Sequence, residues 1–403
     1  MSRLVAELED ALAARGAACL GRRRHAVETR QGVRLTVDGR DVLHFGSNDY
    51  LGLAADPRVI TAAQEGAVRH GVGAGASHLI SGHFSVHEAL ERELADWIAP
   101  CADPRALLFS TGYMASLAIV TALCGRGDAV FGDRLNHACL NDAALLSRAA
   151  FIRYRHGELD ELRRRLTDSR ARRKLICTDA VFSMDGDIAP LPGLLELAED
   201  HDAWLVVDDA HGLGVLGRDG DGRGTLAHFG LASERIVYMG TLGKAAGVAG
   251  AFVAAHRAVI DTLLQTARPY MFTTASPPLL ACALQASLAI IRDEPQRRLR
   301  LFALIARFRD GAATLPWRVL PSETAIQPLV VGDNAEALGL SDALWQRGLW
   351  IPAIRPPTVP RDTARLRITL SAAHTEADVA RLLAALAELA ERQSSLSAIA
   401  DGA

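Results

Sequence analysis

Between Ser47 and about Pro278, short apolar runs recur along the chain, several of them separated by segments of helical character. The runs are Ala106–Phe109, Ala129–Phe131, Leu175–Thr178, Trp204–Val207, Ile236–Met239 and Ala251–Ala254. Each is too short for a buried helix and is continuously apolar, so it reads as a strand covered on both faces. Strands alternating with helices argue for an α/β domain built on a largely parallel sheet. Ser85-Val-His-Glu88 reads as a capping box ahead of a helix carrying Leu90, Leu94, Trp97 and Ile98.

The flanks have a different texture. The first forty-odd residues suggest a helix and then a hairpin turning at Asp38-Gly39. After Pro277-Pro278 come two helix-like segments, strand candidates near Ile326–Val331, Leu349–Ile354 and Leu366–Leu370, and a helix opening at Thr375. The expected division is an N-terminal arm over residues 1–46, a large α/β domain over 47–280 and a smaller α+β domain over 281–403. The polar tail after Arg392 is expected to fray.

With 403 residues, 49% of them hydrophobic, the chain can bury more than one core. A net charge of -3 gives no general attraction to nucleic acid or anionic lipid. The longest apolar stretch, Leu279–Ile291, is broken by Gln285 and Ser287 and is too short to span a bilayer. Acidic Glu7, Glu9 and Asp10 leave no signal-peptide core at the N-terminus, so a cytoplasmic location is expected. The six cysteines form no C-x-x-C pair, and no metal centre is expected.

Chemistry concentrates at the strand ends. Thr241-Leu-Gly-Lys244 follows one strand and precedes the small-residue run Ala245-Ala-Gly-Val-Ala-Gly250, so a flat ligand can approach the amine closely. The competing reading is an ordinary exposed lysine. Asp208, in Val206-Val-Asp-Asp-Ala-His211, closes another strand, where open α/β sheets bind ligands. A carboxylate there can keep a pyridine nitrogen protonated, and His211 can reach the ring's phenolic oxygen. A capping aspartate is the plainer alternative. Ser110-Thr-Gly112-Tyr113 opens a helix directly after a strand, which makes a phosphate seat. His137 can stack on an aromatic cofactor, and Ser183, ahead of Asp185-Gly186, can bond one. A structural histidine and plain turn chemistry are the respective alternatives.

Gly212-Leu-Gly-Val-Leu-Gly217 matches the dinucleotide fingerprint G-x-G-x-x-G. That fingerprint requires a helix to start there, and Arg218-Asp-Gly-Asp-Gly-Arg-Gly224 cannot supply one, so nicotinamide binding is rejected.

Taken together, Ser47-Asn-Asp-Tyr-Leu-Gly52, Ser183-Met-Asp-Gly-Asp187, Asp208-Asp-Ala-His211, Thr241-x-Gly-Lys244, Ala325–Asp333 and Ala353–Pro360 resemble the α-oxoamine synthases over nearly the whole chain. These are pyridoxal-phosphate (PLP) enzymes of fold type I. The resemblance implies a large domain with a mostly parallel seven-stranded sheet plus a smaller α+β domain, in a homodimer. The last two segments are similar to the branch that condenses L-alanine with a pimeloyl thioester, on acyl carrier protein or coenzyme A, in biotin biosynthesis. Glycine C-acetyltransferase, 5-aminolevulinate synthase and serine palmitoyltransferase are the sister alternatives.

The residue roles that follow are implied by this resemblance. Lys244 forms the Schiff base, Asp208 pairs with the ring nitrogen and His137 stacks on the ring. Ser183 and His211 contact the hydroxyl side. Gly112, Tyr113 and Thr241 hold the phosphate, with Thr273 or Thr274 reaching the other subunit's phosphate. Arg22 and Thr358 bind substrate. Arg367 with Asn48 takes the amino acid carboxylate, and Arg355 is the second choice; an arginine fork suits a carboxylate well. Tyr113, Cys139, Ala245 and Ala249 depart from the residues common in close relatives, without removing a group the chemistry needs.

Overall fold

Hydrophobic burial, helix capping and glycine turns place the elements largely where the sequence pattern suggests. The computed structural model describes residues 2–401, with side chains as far as 392. The chain forms two compact units. One comprises Met1–Tyr50, Met184–Gly186 and Arg300–Ala403, and the other Leu51–Ser183 and Asp187–Leu299.

The first unit opens with the helix Arg3–Ala17 and the hairpin β1 (Arg34–Val37) and β2 (Arg40–His44). Its turn falls at Asp38-Gly39, both with positive φ, as the sequence indicates.

The second unit contains β3 (Pro104–Phe109), β4 (Ala129–Asp133), β5 (Ala150–Tyr154), β6 (Lys174–Asp179), β7 (Ala203–Asp208), β8 (Ile236–Thr241) and β9 (Ala251–His256). They form one seven-stranded sheet in the order β3-β9-β8-β7-β6-β4-β5. β8, β7, β6, β4 and β5 run parallel, while β9 runs against both its neighbours. Leu175, Val206, Val237 and Val253 from four strands share a core with Ile119, Leu140 and Leu263 from the covering helices. Burial on that scale, at about 25 cal/mol per Å² of apolar surface, is what holds the sheet in place. β5 has no counterpart among the expected strands: it lies at the sheet edge, and only Tyr154 in it is fully buried. The helix Ser85–Ile98 is capped differently from the expected box. Phe84 occupies the N-cap, and the His87 ring, not Glu88, accepts the Phe84 N–H at 3.1 Å.

Back in the first unit, β10 (Arg318–Val319), β11 (Ile326–Gly332), β13 (Ala353–Ile354) and β14 (Ala364–Thr369) form a four-stranded antiparallel sheet, while β12 (Leu349–Trp350) joins β2. The expected single strand Leu349–Ile354 is thus split between two sheets. The terminal helix Glu376–Asp401 runs on through the polar tail that was expected to fray; side chains from 393 onward lie outside the described residues. Among the described residues no helix is long and apolar enough to cross a membrane.

Candidate active site

Four neighbouring parallel strands each end on a polar residue: β4 on Asp133, β6 on Asp179, β7 on Asp208 and β8 on Thr241. Strand interiors are apolar because both faces are covered, so polar side chains collect where the strands stop.

Lys244 sits in the short reversal joining β8 to β9. Three backbone bonds close that loop: Leu242 N–H to Gly250 O at 2.8 Å, Gly247 N–H to Lys244 O at 2.8 Å, and Val248 N–H to Leu242 O at 3.0 Å. The half-buried Nζ lies 2.9 Å from Nε2 of His211. Asp208 is 5% exposed; its Oδ1 accepts the Ala210 N–H at 3.1 Å. Burial raises the Asp208 carboxyl above its ordinary range, while the Lys244 and His137 charges act to lower it. His137 caps the helix Ala138–Ser147 by accepting the Cys139 N–H on Nδ1, and burial lowers its pKa. The Cys139 sulfur lies 2.9 Å from that Nδ1 and 3.8 Å from Asp208 Oδ2. Lys244, His211, Asp208 and His137 are therefore one constellation.

The expected phosphate seat is a real helix start. Thr111 caps Gly112–Leu123, its hydroxyl accepting the Met114 N–H at 3.2 Å. A Cβ on Gly112 would stand 2.8 Å from the Thr241 methyl, so only glycine lets that hydroxyl residue close on the helix end. Tyr113 is 41% exposed and its hydroxyl donates to Asp142. Ser183 is half-buried just before the Met184–Gly186 segment. Thr273 is half-buried and Thr274 is exposed, bridged to Ser77.

These donors fit pyridoxal phosphate. An amine is available for an aldehyde, a buried carboxylate for a ring nitrogen, and a glycine-opened helix N-terminus with a neighbouring hydroxyl for a phosphate.

In the other unit, Arg367 projects from β14 and is 6% exposed. It donates to Asn48 Oδ1 at 3.3 Å and Thr369 Oγ1 at 3.1 Å; the Tyr50 hydroxyl donates to the same Asn48 oxygen at 3.3 Å. Arg365, two residues earlier on the strand, is held instead by Asp185 at 2.9 Å. Arg22, Arg355 and Thr358 line a single small hollow of about 60 Å³. The Arg355 guanidinium is anchored by the carbonyls of Cys19 and Gly21.

Several site features escaped the sequence reading. Asp179 pairs in register with Asp208 and accepts the His137 N–H at 2.8 Å. His156 bridges Asp133 at 3.1 Å and Asp187 at 2.9 Å; burial opposes its charge, yet the two carboxylates raise its pKa to about 10. The glycine-rich Gly212–Gly224 stretch begins no helix at Gly212. It wraps the buried Asp209 carboxyl, whose oxygens would lie 2.1 Å from a Cβ on Gly212 and 2.2 Å from one on Gly224.

The sheet order and this set of donors define a PLP-dependent enzyme of fold type I. The chain belongs to the family described as aminotransferase class I and II, matched over residues 40–386, and within it to the 8-amino-7-oxononanoate synthases. It is 58% identical over 395 residues to the 8-amino-7-oxononanoate synthase of Nitrosomonas europaea, covering 96% of this chain and 100% of the relative. Against that of Herminiimonas arsenicoxydans it is 60% identical over 372 residues, with 91% and 95% covered. Among solved structures, the serine palmitoyltransferase of Sphingomonas wittichii superposes with a TM-score of 0.88 at 29% identity, covering 98% of this chain and 97% of that one. The 8-amino-7-oxononanoate synthase of Francisella tularensis gives 0.75 at 29% identity, covering 88% and 99%.

Proposed function

We propose that the chain condenses L-alanine with a pimeloyl thioester, on acyl carrier protein or coenzyme A, to give 8-amino-7-oxononanoate, carbon dioxide and the free carrier thiol in biotin biosynthesis. The observation that carries this reading is the 58–60% identity, over nearly the full length, to enzymes of that name. The solved serine palmitoyltransferases are half as similar, at 29–30% identity.

When bound, pyridoxal phosphate supplies an electrophilic aldehyde and a ring that accepts electron density from the substrate's α-carbon. In our reading Lys244 holds the aldehyde and, as the free amine, takes and returns the α-proton. His211, 2.9 Å away, steers that amine and bonds the hydroxyl side of the ring together with Ser183. Asp208 keeps the ring nitrogen charged from a buried position, where its field is little screened. His137, its backbone held by Asp179 and its Nδ1 by the Cys139 N–H, would cover the ring face. Gly112, Tyr113 and Thr241 hold the phosphate at the helix end, with Thr273 or Thr274 given to a second subunit of a homodimer. Arg367 and Asn48 clamp the carboxylate of alanine, with Arg355 as the second choice. Arg22 and Thr358, beside Arg355, receive the acyl donor. A cytoplasmic location belongs to the same reading.

The test is carbon dioxide release with alanine plus pimeloyl thioester, run beside glycine plus acetyl-CoA and serine plus palmitoyl-CoA. Preference for either latter pair overturns the substrate assignment.

A further inference from the structure

Within the α/β unit, a cavity of about 440 Å³ is lined by His78, His83, Glu88, Glu91, Arg105 and Tyr270, among others. None of these residues belongs to the constellation around Lys244. Glu88 and Glu91 stand one turn apart on the helix Ser85–Ile98, and His83 lies just ahead of it. His83 Nε2 is 3.1 Å from Glu88 Oε2 and 4.0 Å from Glu91 Oε2, and one ligand atom from each of the three residues lies within 4.8 Å of the others.

We propose that His83, Glu88 and Glu91 form a site for a divalent first-row metal ion, best matched by zinc, with its remaining position open to the cavity. Metal–ligand bonds of about 2.0–2.2 Å in a tetrahedral shell put ligand atoms about 3.4 Å apart, so the His83–Glu88 spacing of 3.1 Å already suits an ion, and the Glu91 oxygen has to close in from 4.0 Å. One imidazole and two carboxylates suit zinc and its neighbours better than magnesium or calcium, which prefer all-oxygen shells.

Two further observations point to a cation. Glu91 is 8% exposed, and its Oε1 is tied to the Leu108 N–H at 2.8 Å. Glu91 lines the cavity, and its Oε2 lies 4.0 Å from the His83 ring. Among the described residues no Lys or Arg forms an ion pair with Glu91, although Arg92 and Arg105 line the same cavity, and a buried carboxylate so placed calls for a proton or a metal. The other nitrogen of His83 is already occupied: Nδ1 lies 3.0 Å from Nδ1 of His78, whose ring stacks on Tyr270 at 5.2 Å. Metal-binding histidines are typically fixed in this way by a second hydrogen bond on the far nitrogen, leaving one lone pair for the ion. The absence of C-x-x-C pairs does not bear on such a site, because it uses no thiolate.

The test uses untagged, full-length holoenzyme, stripped with chelator and dialysed against micromolar zinc chloride, with metal counted per chain. One tightly held zinc per chain is expected. Glu91→Gln, which keeps an oxygen for Leu108, and the exposed-side Glu88→Gln should each weaken binding at least about 10-fold, and His78→Ala about 10–100-fold. Cobalt substitution should give a visible ligand-field band that Glu88→Gln abolishes. Two results would overturn the proposal: no stoichiometric zinc on the parent chain, or binding unchanged in both glutamine variants. The first would mean that the Glu91 carboxyl carries its own proton, in keeping with burial pushing its pKa up to about 8.

Discussion

Asp179 and Asp208 close adjacent parallel strands in register, and both carboxyls are buried. Burial first, and then the neighbouring negative charge, raises Asp179 well above the carboxylate range. Two buried carboxylates side by side cannot both ionise cheaply, so the pair divides its work. In our reading Asp208 keeps the charge for the ring nitrogen while Asp179 acts as a hydrogen-bond acceptor for the His137 backbone.

That division predicts different outcomes at the two positions. Asp179→Asn retains an oxygen for the His137 N–H and should leave turnover within about an order of magnitude of the parent. Asp179→Ala strands that N–H and should cost about 1–3 kcal/mol of stability in urea unfolding. Asp208→Asn should keep the fold but lose at least about 100-fold in kcat. Turnover of Asp208→Asn matching that of Asp179→Asn would refute the assignment.

Lys244→Ala should abolish turnover and the covalent hold on the cofactor. Borohydride treatment followed by peptide mapping should label the parent chain at Lys244 and leave the variant unlabelled. A label on another lysine would move the reactive amine elsewhere.

Arg367→Ala should raise the KM for alanine by about 10–100-fold, the worth of a charge-assisted hydrogen bond. Arg367→Lys should recover little, because an ammonium cannot present two parallel N–H groups to a carboxylate while also serving Asn48 and Thr369. Steady-state kinetics at fixed acyl donor decide this, and a normal KM in Arg367→Ala would shift the role to Arg355.

His156 makes the stability depend on pH. Its folded pKa of about 10 exceeds the ordinary 6.5, through hydrogen bonds to Asp133 and Asp187 that outweigh its burial. Its contribution is fully present below about pH 6.5, declines as pH rises and is gone above about pH 10. His156→Gln should lose about 2 kcal/mol at pH 6 and little at pH 10, less than for a fully buried pair because the ring is partly wet. Urea unfolding at pH 6, 8 and 10 should show the two proteins converging.

The strand ends were readable because an apolar run must stop somewhere, and Asp208 and Lys244 stand where two such runs stop. Asp179 stands in the same place after Leu175–Thr178. It was missed because strand order, which sets its carboxyl beside Asp208, is not written in any local pattern. β5 escaped because an edge strand with one fully buried residue lacks the continuous apolar signal of its neighbours. The Ser85 box failed because the helix starts one residue earlier than expected: Phe84 is the N-cap, so the residue three on that bonds its N–H is His87 and not Glu88. Gly212 opens a run that matches a dinucleotide fingerprint only in its letters; its bareness, like that of Gly224, accommodates Asp209, whose carboxyl also accepts the Tyr238 hydroxyl at 3.0 Å.

The antiparallel course of β9 has a consequence for how this protein can change. A crossover between parallel strands has slack, and an extra residue there can bulge into water. The reversal from Leu242 to Gly250 is closed by three backbone bonds, and any length change that slipped β9 by one residue would turn every β9 side chain to the opposite face, putting Phe252 and Ala254 out of step with β3 and β8 together. The segment that carries Lys244 is thereby held in length by a strand paired on both sides.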